Sequence, residues 1–89
     1  MKIKKILIED KIKEKILYTH NVKAYEIKEV LINSPLILKT RDERYIAIGH
    51  GQNAKFITII FELIKDTAFI ITAYPSSDSQ RKLYKRKRQ

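Results

Sequence analysis

The side chains best suited to chemistry in this sequence are one histidine and two groups of arginines. His20 lies between two helical patterns, and a histidine imidazole exchanges protons near neutral pH. Because a guanidinium can bind a phosphate through two parallel hydrogen bonds, the arginines are candidates for phosphate contacts. They form a middle group, Arg41 and Arg44, and an end group, Arg81, Arg86 and Arg88.

Each of these residues also has an ordinary structural explanation. A histidine at the end of a helix can satisfy the free carbonyl groups there. Arg41 and Arg44 flank Asp42 and Glu43, so these four residues can equally form a solvated, salt-linked turn. His50 lies in a stretch that holds both glycines, and we expect it to be an ordinary surface residue.

The net charge indicates the class of partner. Nineteen lysines and arginines against ten aspartates and glutamates leave a charge of +9 on 89 residues. Such a charge attracts polyanions, so nucleic acid is the leading candidate partner. A thermophile's or AT-rich genome's use of lysine, glutamate and isoleucine is the competing explanation.

The composition excludes several other classes. Without cysteine there is neither a disulfide framework nor a cysteine zinc site, and His20 and His50 do not form a metal-binding pattern. We therefore expect no metal and no cofactor. No apolar run approaches the roughly 20 residues of a membrane span, and the lysine-rich N-terminus does not resemble a signal peptide. The expectation is one cytoplasmic domain, residues 1–89, without a membrane partner.

Apolar periodicity predicts the elements that must position these residues. A short strand within residues 2–9 precedes a helix that starts near Lys11 and ends near His20. A second helix from Ala24 ends at the Asn33-Ser34-Pro35 step, which gives an αα-hairpin. The strands that follow are predicted at 36–38, 45–48, 56–64 and 68–74, with a hairpin loop at 49–53.

The same pattern predicts which faces are buried and how the chain ends. Ile57, Ile59, Phe61 and Leu63 are expected to share the core face of the third of these strands, whereas Phe69, Ile71 and Ala73 share one side of the last. Ser77 and Gln80 have the spacing of a capping box that opens a basic helix over residues 81–88. The predicted fold is α+β: a strand and an αα-hairpin on an antiparallel meander of about four strands, then a C-terminal basic helix with a basic tail at about 85–89.

Several short strings occur in the order and spacing of a known family. They are His20-Asn21-Val22, residues 26–31, Ser34-Pro35-Leu36, residues 44–49, Ile70-Ile71-Thr72-Ala73 and Arg81-Lys82-Leu83-Tyr84. Together they resemble the BrnT family of toxin–antitoxin ribonucleases, small proteins with a RelE-like fold. The resemblance covers nearly the whole chain.

The sequence departs from the family pattern at three positions. Tyr74 stands where the family carries an arginine directly after the Thr-Ala of the final strand, and Gln80 stands where it carries a glutamate before the helix arginine. Asn21 replaces a glycine, but asparagine tolerates a left-handed backbone, so we expect that turn to be kept.

The resemblance implies metal-independent RNA cleavage, which needs a base for the ribose 2′-hydroxyl, an acid for the leaving oxygen and cations at the phosphate. His20 is the candidate for proton transfer, and Tyr74 can stack on a base or donate a proton. Arg41 and Arg44 can grip the scissile phosphate, and Glu43 can orient one of them or act as base. The candidate catalytic residues are His20, Arg41, Glu43, Arg44 and Tyr74. The candidate RNA-binding residues are Arg81, Lys82, Lys85 and Arg86.

The resemblance also implies the partners of such an enzyme. They are RNA and a cognate antitoxin, which would inhibit the toxin in a heteromeric complex and make most contacts to operator DNA. The free chain would be a monomer. The alternative is a catalytically inactive RNA- or protein-binding module that retains the toxin scaffold, and Tyr74 and Gln80 favour it.

Overall fold

The computed structural model of the chain describes residues 2–41 and 43–87. Its elements are β1 (Lys5–Leu7), α1 (Asp10–His20), α2 (Ala24–Ile32), β2 (Leu36–Lys39), β3 (Arg44–His50), β4 (Phe56–Ile64), β5 (Thr67–Pro75) and α3 (Asp78–Lys87). Asp42, from the predicted salt-linked turn, and Arg88 and Gln89, from the predicted basic end, lie outside the described residues. Within the described ranges, no helix has the length and apolar character needed to cross a bilayer.

The strands form one mixed sheet in the order β1-β5-β4-β3-β2. From β2 to β5 each strand pairs antiparallel with the next, as the predicted meander requires. β1 adds a fifth strand parallel to β5, with Ile6 beside Ala68. The α+β class is therefore confirmed, and the predicted four-stranded antiparallel sheet is corrected to a five-stranded mixed one. Periodicity carries no signal for this pairing, because the two strands are far apart in sequence.

Helices pack on both faces of the sheet. α1 and α2 cover the first face. The core there comprises Ile16, Val22, Ile27, Val30, Leu31, Ala47, Ile57, Ile59, Phe61, Ala68, Ile70 and Ala73, with Leu63 partly buried beside it. The predicted core face of β4 is thus confirmed. Side chains alternate along a strand, so Phe56 points to the second face, where its ring packs against Tyr84 of α3 with centroids 5.1 Å apart.

A β-bulge changes which side chains of β5 reach the core. The register between β4 and β5 shifts at Ile71, which has no partner in β4. The extra residue reverses the alternation beyond it. The core residues of β5 are accordingly Ala68, Ile70 and Ala73. The prediction that Phe69, Ile71 and Ala73 share one side is wrong, since a strict period of two does not continue through a bulge.

The two glycines allow the close approach of neighbouring elements. Gly49 lies within β3, and a Cβ placed there would be 3.0 Å from the Cβ of Pro35. A Cβ on Gly51 would lie 2.5 Å from a carboxylate oxygen of α2. Neither glycine has a positive φ. The predicted hairpin loop over residues 49–53 is therefore corrected: β3 continues through His50, and the turn follows it.

The end of α1 determines where His20 lies. Asn21 adopts the left-handed conformation, with φ 55° and ψ 38°, and its amide donates to the Leu17 carbonyl. Asparagine takes this conformation at lower cost than most residues, so the expectation that it preserves the turn is confirmed. His20 is the last residue of α1, and the buried side chain of Val22 anchors the link to α2.

Adding a methyl group at Gly49 and removing one at Ala54 should have opposite effects on stability. Gly49→Ala presses a methyl group against Pro35, so we expect the free energy of unfolding to fall by about 1–3 kcal/mol. Ala54 has φ 60°, which glycine adopts without a steric cost, so Ala54→Gly should raise that free energy by about 0.5 kcal/mol. Urea unfolding followed by circular dichroism measures both. A Gly49→Ala protein as stable as the wild type would contradict the close-approach explanation.

Candidate active site

The fold brings His20 and Tyr74 together at one edge of the sheet. β1 ends at Leu7, beside Phe69 of β5. The second half of β5 therefore pairs with β4 along one edge and has α1, not a strand, beside its other edge. The rings of His20 and Tyr74 lie there with their centroids 5.9 Å apart and their planes inclined by 52°. Of the residues predicted to be catalytic, these two are neighbours, and both are half-buried.

The His20 imidazole is not used to cap α1. The Asn21 amide already bonds the Leu17 carbonyl. Within residues 2–41 and 43–87 the His20 ring makes no hydrogen bond. The capping explanation of this histidine is therefore not supported by the structure.

The side-chain amide of Gln80 connects Tyr74 to the start of α3. Its Oε1 accepts hydrogen bonds from the Ser77 amide and the Thr58 hydroxyl, both at 2.9 Å. Its Nε2 donates to the Tyr74 hydroxyl at 3.1 Å. The Gln80 backbone amide in turn donates to Ser77 Oγ at 3.2 Å, so the predicted capping box is confirmed with both of its bonds.

These hydrogen bonds have a determined direction. The Ser77 amide can only donate, so the Gln80 oxygen must face it and the Gln80 nitrogen must face Tyr74. The Tyr74 oxygen is therefore the acceptor, and the bond does not use the proton of the phenol. Behind Gln80, the Thr58 hydroxyl donates to Gln80 and accepts from Ser76 Oγ at 2.7 Å.

Sequence reasoning missed the two hydroxyl groups of this network. Thr58 is 0% exposed and Ser76 is 6% exposed. The available signal was a threonine in the middle of an otherwise apolar strand, because a buried hydroxyl requires hydrogen-bond partners. The pattern alone does not say which residues those partners are.

The residues predicted to bind RNA all lie on α3. They are Arg81, Lys82, Lys85 and Arg86. The Arg81 guanidinium donates to the Ser76 carbonyl at 3.3 Å and pairs with the Asp78 carboxylate. The other three side chains are exposed, and residues 85–87 of the predicted tail continue the helix. The first turn of α3 thus contacts the Tyr74 network while its later turns present cations to solvent.

Arg41, Glu43 and Arg44 lie apart from these residues. Arg44 is paired with Glu62, four residues further along β4 than the residue paired with Tyr74. At 3.3–3.4 Å per residue this is about 13 Å along the strand. All three side chains are exposed, and none of them joins an ion pair in the part of the chain that the structure describes. The structure therefore does not bring them to the histidine of the site.

His50 is packed, and the expectation of an ordinary surface residue is wrong. Its ring centroid lies 5.1 Å from that of Phe56 and 6.1 Å from that of Tyr84. Its Nδ1 is 2.9 Å from the Gly51 carbonyl oxygen. The reason is that β3 extends through His50, so the side chain points to the second face of the sheet and helps to dock α3.

A second polar cluster surrounds the Glu26 carboxylate, which is 6% exposed. It accepts from the Lys23 amide at 2.9 Å and the Asn53 side chain at 3.4 Å, and pairs with Lys55 at 3.6 Å. Burial by itself raises the pKa of Glu26, but the Lys23 amide, the Lys55 charge and Asn53 outweigh it and hold that pKa below its ordinary value. Lys55 also donates to the Asn21 carbonyl at 3.2 Å, so the cluster ties the β3–β4 turn to the α1–α2 junction.

Metal-ligating side chains are not grouped together in the described residues. Among residues 2–41 and 43–87, no three or more histidine, aspartate or glutamate side chains are grouped so that they could hold a metal ion. The candidate active site comprises the His20 and Tyr74 rings, the Gln80 amide that contacts Tyr74, and the cations of α3.

The arrangement of elements defines the fold class: two helices on one face of a mixed five-stranded sheet and a third helix on the other. A solved protein with this arrangement is BrnT, the ribonuclease toxin of Brucella abortus. Its crystal structure matches with a TM-score of 0.69 over 83% of this chain and 97% of that chain, at 19% sequence identity. The likeness establishes a BrnT-like fold. No protein-family model matches the sequence, and neither does any curated protein.

Replacing the buried carboxylate of Glu26 should reduce the acid sensitivity of the fold. The pKa of Glu26 is lower in the folded state than its ordinary value of 4.5, so the unfolded chain takes up the proton more readily. The stabilisation is therefore complete above about pH 5 and is lost as the pH falls below that range. We expect Glu26→Gln to lower the free energy of unfolding at pH 7 by about 1 kcal/mol and to lose less stability than the wild type between pH 7 and pH 3.

Urea unfolding at pH 7, 5 and 3 measures this difference. Glu14→Gln, which removes an exposed carboxylate of α1, is the matched control and should keep the wild-type pH dependence. An equal loss of stability with acid in the wild type and in Glu26→Gln would contradict the assignment.

Proposed function

We propose that the chain is a metal-independent endoribonuclease that acts as the toxin of a toxin–antitoxin pair. The observation that carries the proposal is the contact between the His20 and Tyr74 rings, in a fold shared with a ribonuclease toxin. An imidazole and a phenol can supply the base and the acid that RNA cleavage needs. The net charge of +9 supports a polyanionic substrate.

His20 and Tyr74 take complementary roles in this mechanism. The His20 imidazole removes the proton of a ribose 2′-hydroxyl, and the oxygen attacks the adjacent phosphorus. Tyr74 gives its proton to the 5′ oxygen that leaves, so the products carry a 2′,3′-cyclic phosphate and a 5′-hydroxyl. Gln80 donates to the phenol oxygen, which leaves the phenol proton for the leaving group.

Cations on two parts of the surface bind the RNA backbone. Arg81, beside the Tyr74 network, and the exposed Lys82 contact phosphates near the cleaved bond, and Lys85 and Arg86 extend this contact along α3. Arg41 and Arg44, oriented by Glu43, bind phosphates further along the strand. Their distance from Tyr74 supports this outer position over a role at the cleaved phosphate.

The proposed partner is a cognate antitoxin. The resemblance of the sequence to BrnT toxins implies a complex in which the antitoxin inhibits the monomeric toxin in the cytoplasm and contacts DNA. The inhibitor would have to cover the His20–Tyr74 edge or the cations of α3, because these carry the proposed chemistry.

A second candidate function is an RNA-binding module without catalysis. The neutral contact between Tyr74 and Gln80 favours it, because the family pattern places an arginine and a glutamate at these positions. Such a module would bind RNA through the cations of α3 in the same salt-dependent way. Cleavage, not binding, separates the two functions.

Removing either proton-transfer group should abolish cleavage while the fold is kept. With a labelled single-stranded RNA in EDTA, we expect His20→Ala and Tyr74→Phe each to lower the single-turnover rate by about 10²- to 10⁴-fold. Both variants should keep the salt-dependent part of RNA binding, because the phosphate contacts lie elsewhere. Denaturing gels measure the rate, and fluorescence anisotropy measures the binding.

Two variants serve as controls in that experiment. Tyr25→Phe removes the hydroxyl of a tyrosine that is 54% exposed on α2, and it should keep the wild-type rate. Arg44→Ala should weaken binding of a long RNA but keep the rate at saturating protein. Wild-type rates in both His20→Ala and Tyr74→Phe would refute their catalytic roles, and an inactive wild type that binds RNA would support the binding module.

Introducing the glutamate of the family pattern at position 80 should slow the proposed reaction. In Gln80→Glu the carboxylate still accepts from Ser77 and Thr58, but its second oxygen now accepts the Tyr74 proton. A hydrogen bond to a charged acceptor is the stronger kind, so proton donation to the leaving group becomes harder. We expect a cleavage rate lower by about tenfold or more, and a lower melting temperature, because the half-buried carboxylate has no opposite charge at position 74. A variant that cleaves faster than the wild type would show that Tyr74 is not the proton donor.

A further inference from the structure

A small cavity lies beside the His20–Tyr74 contact, between α1 and β5. Its volume is about 260 Å³, and His20 forms part of its wall. The other lining residues are Ile12, Lys15, Ile16 and Thr19 from α1, and Ile71 and Thr72 from β5. Nothing in the proposed acid–base step requires this cavity, so its shape and chemistry call for a separate explanation.

The β-bulge accounts for the position of the cavity. Ile60 pairs with Thr72 and Phe61 pairs with Ile70, so Ile71 is the extra residue of β5. A bulge bends its strand and redirects a side chain, and bulges occur often beside active sites. Because β1 has ended before this point, the bent segment faces α1 directly, and the gap between them is the cavity.

The lining of the cavity is partly apolar and partly polar, and we call its polar residues, Lys15, Thr19, His20 and Thr72, the rim. Ile12, Ile16 and Ile71 supply aliphatic surface, which packs well on the flat face of an aromatic ring. The hydroxyls of Thr19 and Thr72 can each donate and accept a hydrogen bond at the edge of such a ring. The volume is below the roughly 300–1,000 Å³ of pockets for drug-sized ligands. These properties suit one flat heteroaromatic ring with polar edge groups.

We propose that this cavity binds one base of a single-stranded RNA and sets the nucleotide preference of the protein. A nucleobase has apolar faces and an edge of donors and acceptors, whereas a phosphate or a sugar would leave the isoleucine walls without a partner. Since His20 lines the cavity and contacts Tyr74, a base held there places its ribose beside both rings. The assignment of the ribose rests on the proposed function, but the binding of the base does not.

Noncleavable RNA separates base binding from cleavage. Fluorescently labelled 2′-O-methyl hexanucleotides, one for each of the four bases, are titrated with wild-type protein and followed by anisotropy. We expect one base to bind about three- to tenfold more tightly than the weakest, as one or two hydrogen bonds at the rim would provide. Equal affinity for the four hexanucleotides would overturn the proposal.

Isosteric variants locate the preference in the cavity. Thr72→Val removes the rim hydroxyl without a change of shape, and Thr19→Val does the same from the exposed surface of α1. We expect at least one of them to reduce the preference to less than twofold, with the salt dependence of binding unchanged. Thr67→Val, at the other end of β5, is the matched control and should keep the preference. A preference retained in both Thr72→Val and Thr19→Val would overturn the assignment.

Cleavage assays with unmodified RNA hexanucleotides, one for each base, distinguish this proposal from the proposed function. Base preference without cleavage would support the cavity and refute the ribonuclease. Cleavage at equal rates for the four sequences, together with equal binding, would support the ribonuclease and refute the cavity.

Discussion

The Thr58 hydroxyl must find hydrogen-bond partners inside the protein, because the residue has no exposure to solvent. Thr58 lies on β4, the strand at the centre of the sheet, and its neighbours Ile57 and Ile59 are equally buried on the first face. Its partners are Ser76 Oγ and Gln80 Oε1, which belong to the link between β5 and α3 and to the first turn of that helix.

The position of α3 depends on these bonds to Thr58. The oxygen that accepts from Thr58 also accepts from the Ser77 amide, so the same group starts the helix and holds it on the sheet. Because the Gln80 oxygen is fixed by these bonds, the Gln80 nitrogen points toward the Tyr74 hydroxyl. The apolar packing of Tyr84 on Phe56 and His50 completes the docking, and the cations of the helix are left facing solvent.

Local chemistry made much of the fold predictable. The Asn33-Ser34-Pro35 step ended α2, the asparagine at 21 ended α1, and the Ser77–Gln80 spacing opened α3 as a capping box. Non-local pairing was not predictable, because no periodicity shows that β1 lies beside β5 or that β5 carries one extra residue. The glycines illustrate the same limit. Two glycines close together in the sequence indicate a loop, but the structure requires glycine at these positions because elements distant in sequence pack closely against them.

The candidate site was predictable in its residue types and only partly in its geometry. The chemistry of His20 and Tyr74 makes them candidates, and the structure adds that their rings are neighbours. Arg41 and Arg44 are candidates for the same kind of reason, but the strand register places Arg44 at the start of β3, and Arg41 lies in the turn before it. The residue type determines which chemistry a side chain can perform. The strand register and the order of strands in the sheet determine where that side chain lies.

The two departures from the BrnT pattern are in contact with each other, and this changes what the site can do. Where the pattern has an arginine and a glutamate, this chain has a phenol and an amide joined by one neutral hydrogen bond. A change at only one of the two positions would leave a half-buried charge without its opposite, so the two replacements are physically consistent as a pair. An arginine at position 74 would hold a phosphate, whereas a tyrosine there can transfer a proton. In the proposed mechanism, the neutral pair would place proton transfer on β5 and leave phosphate binding to the exposed cations of α3.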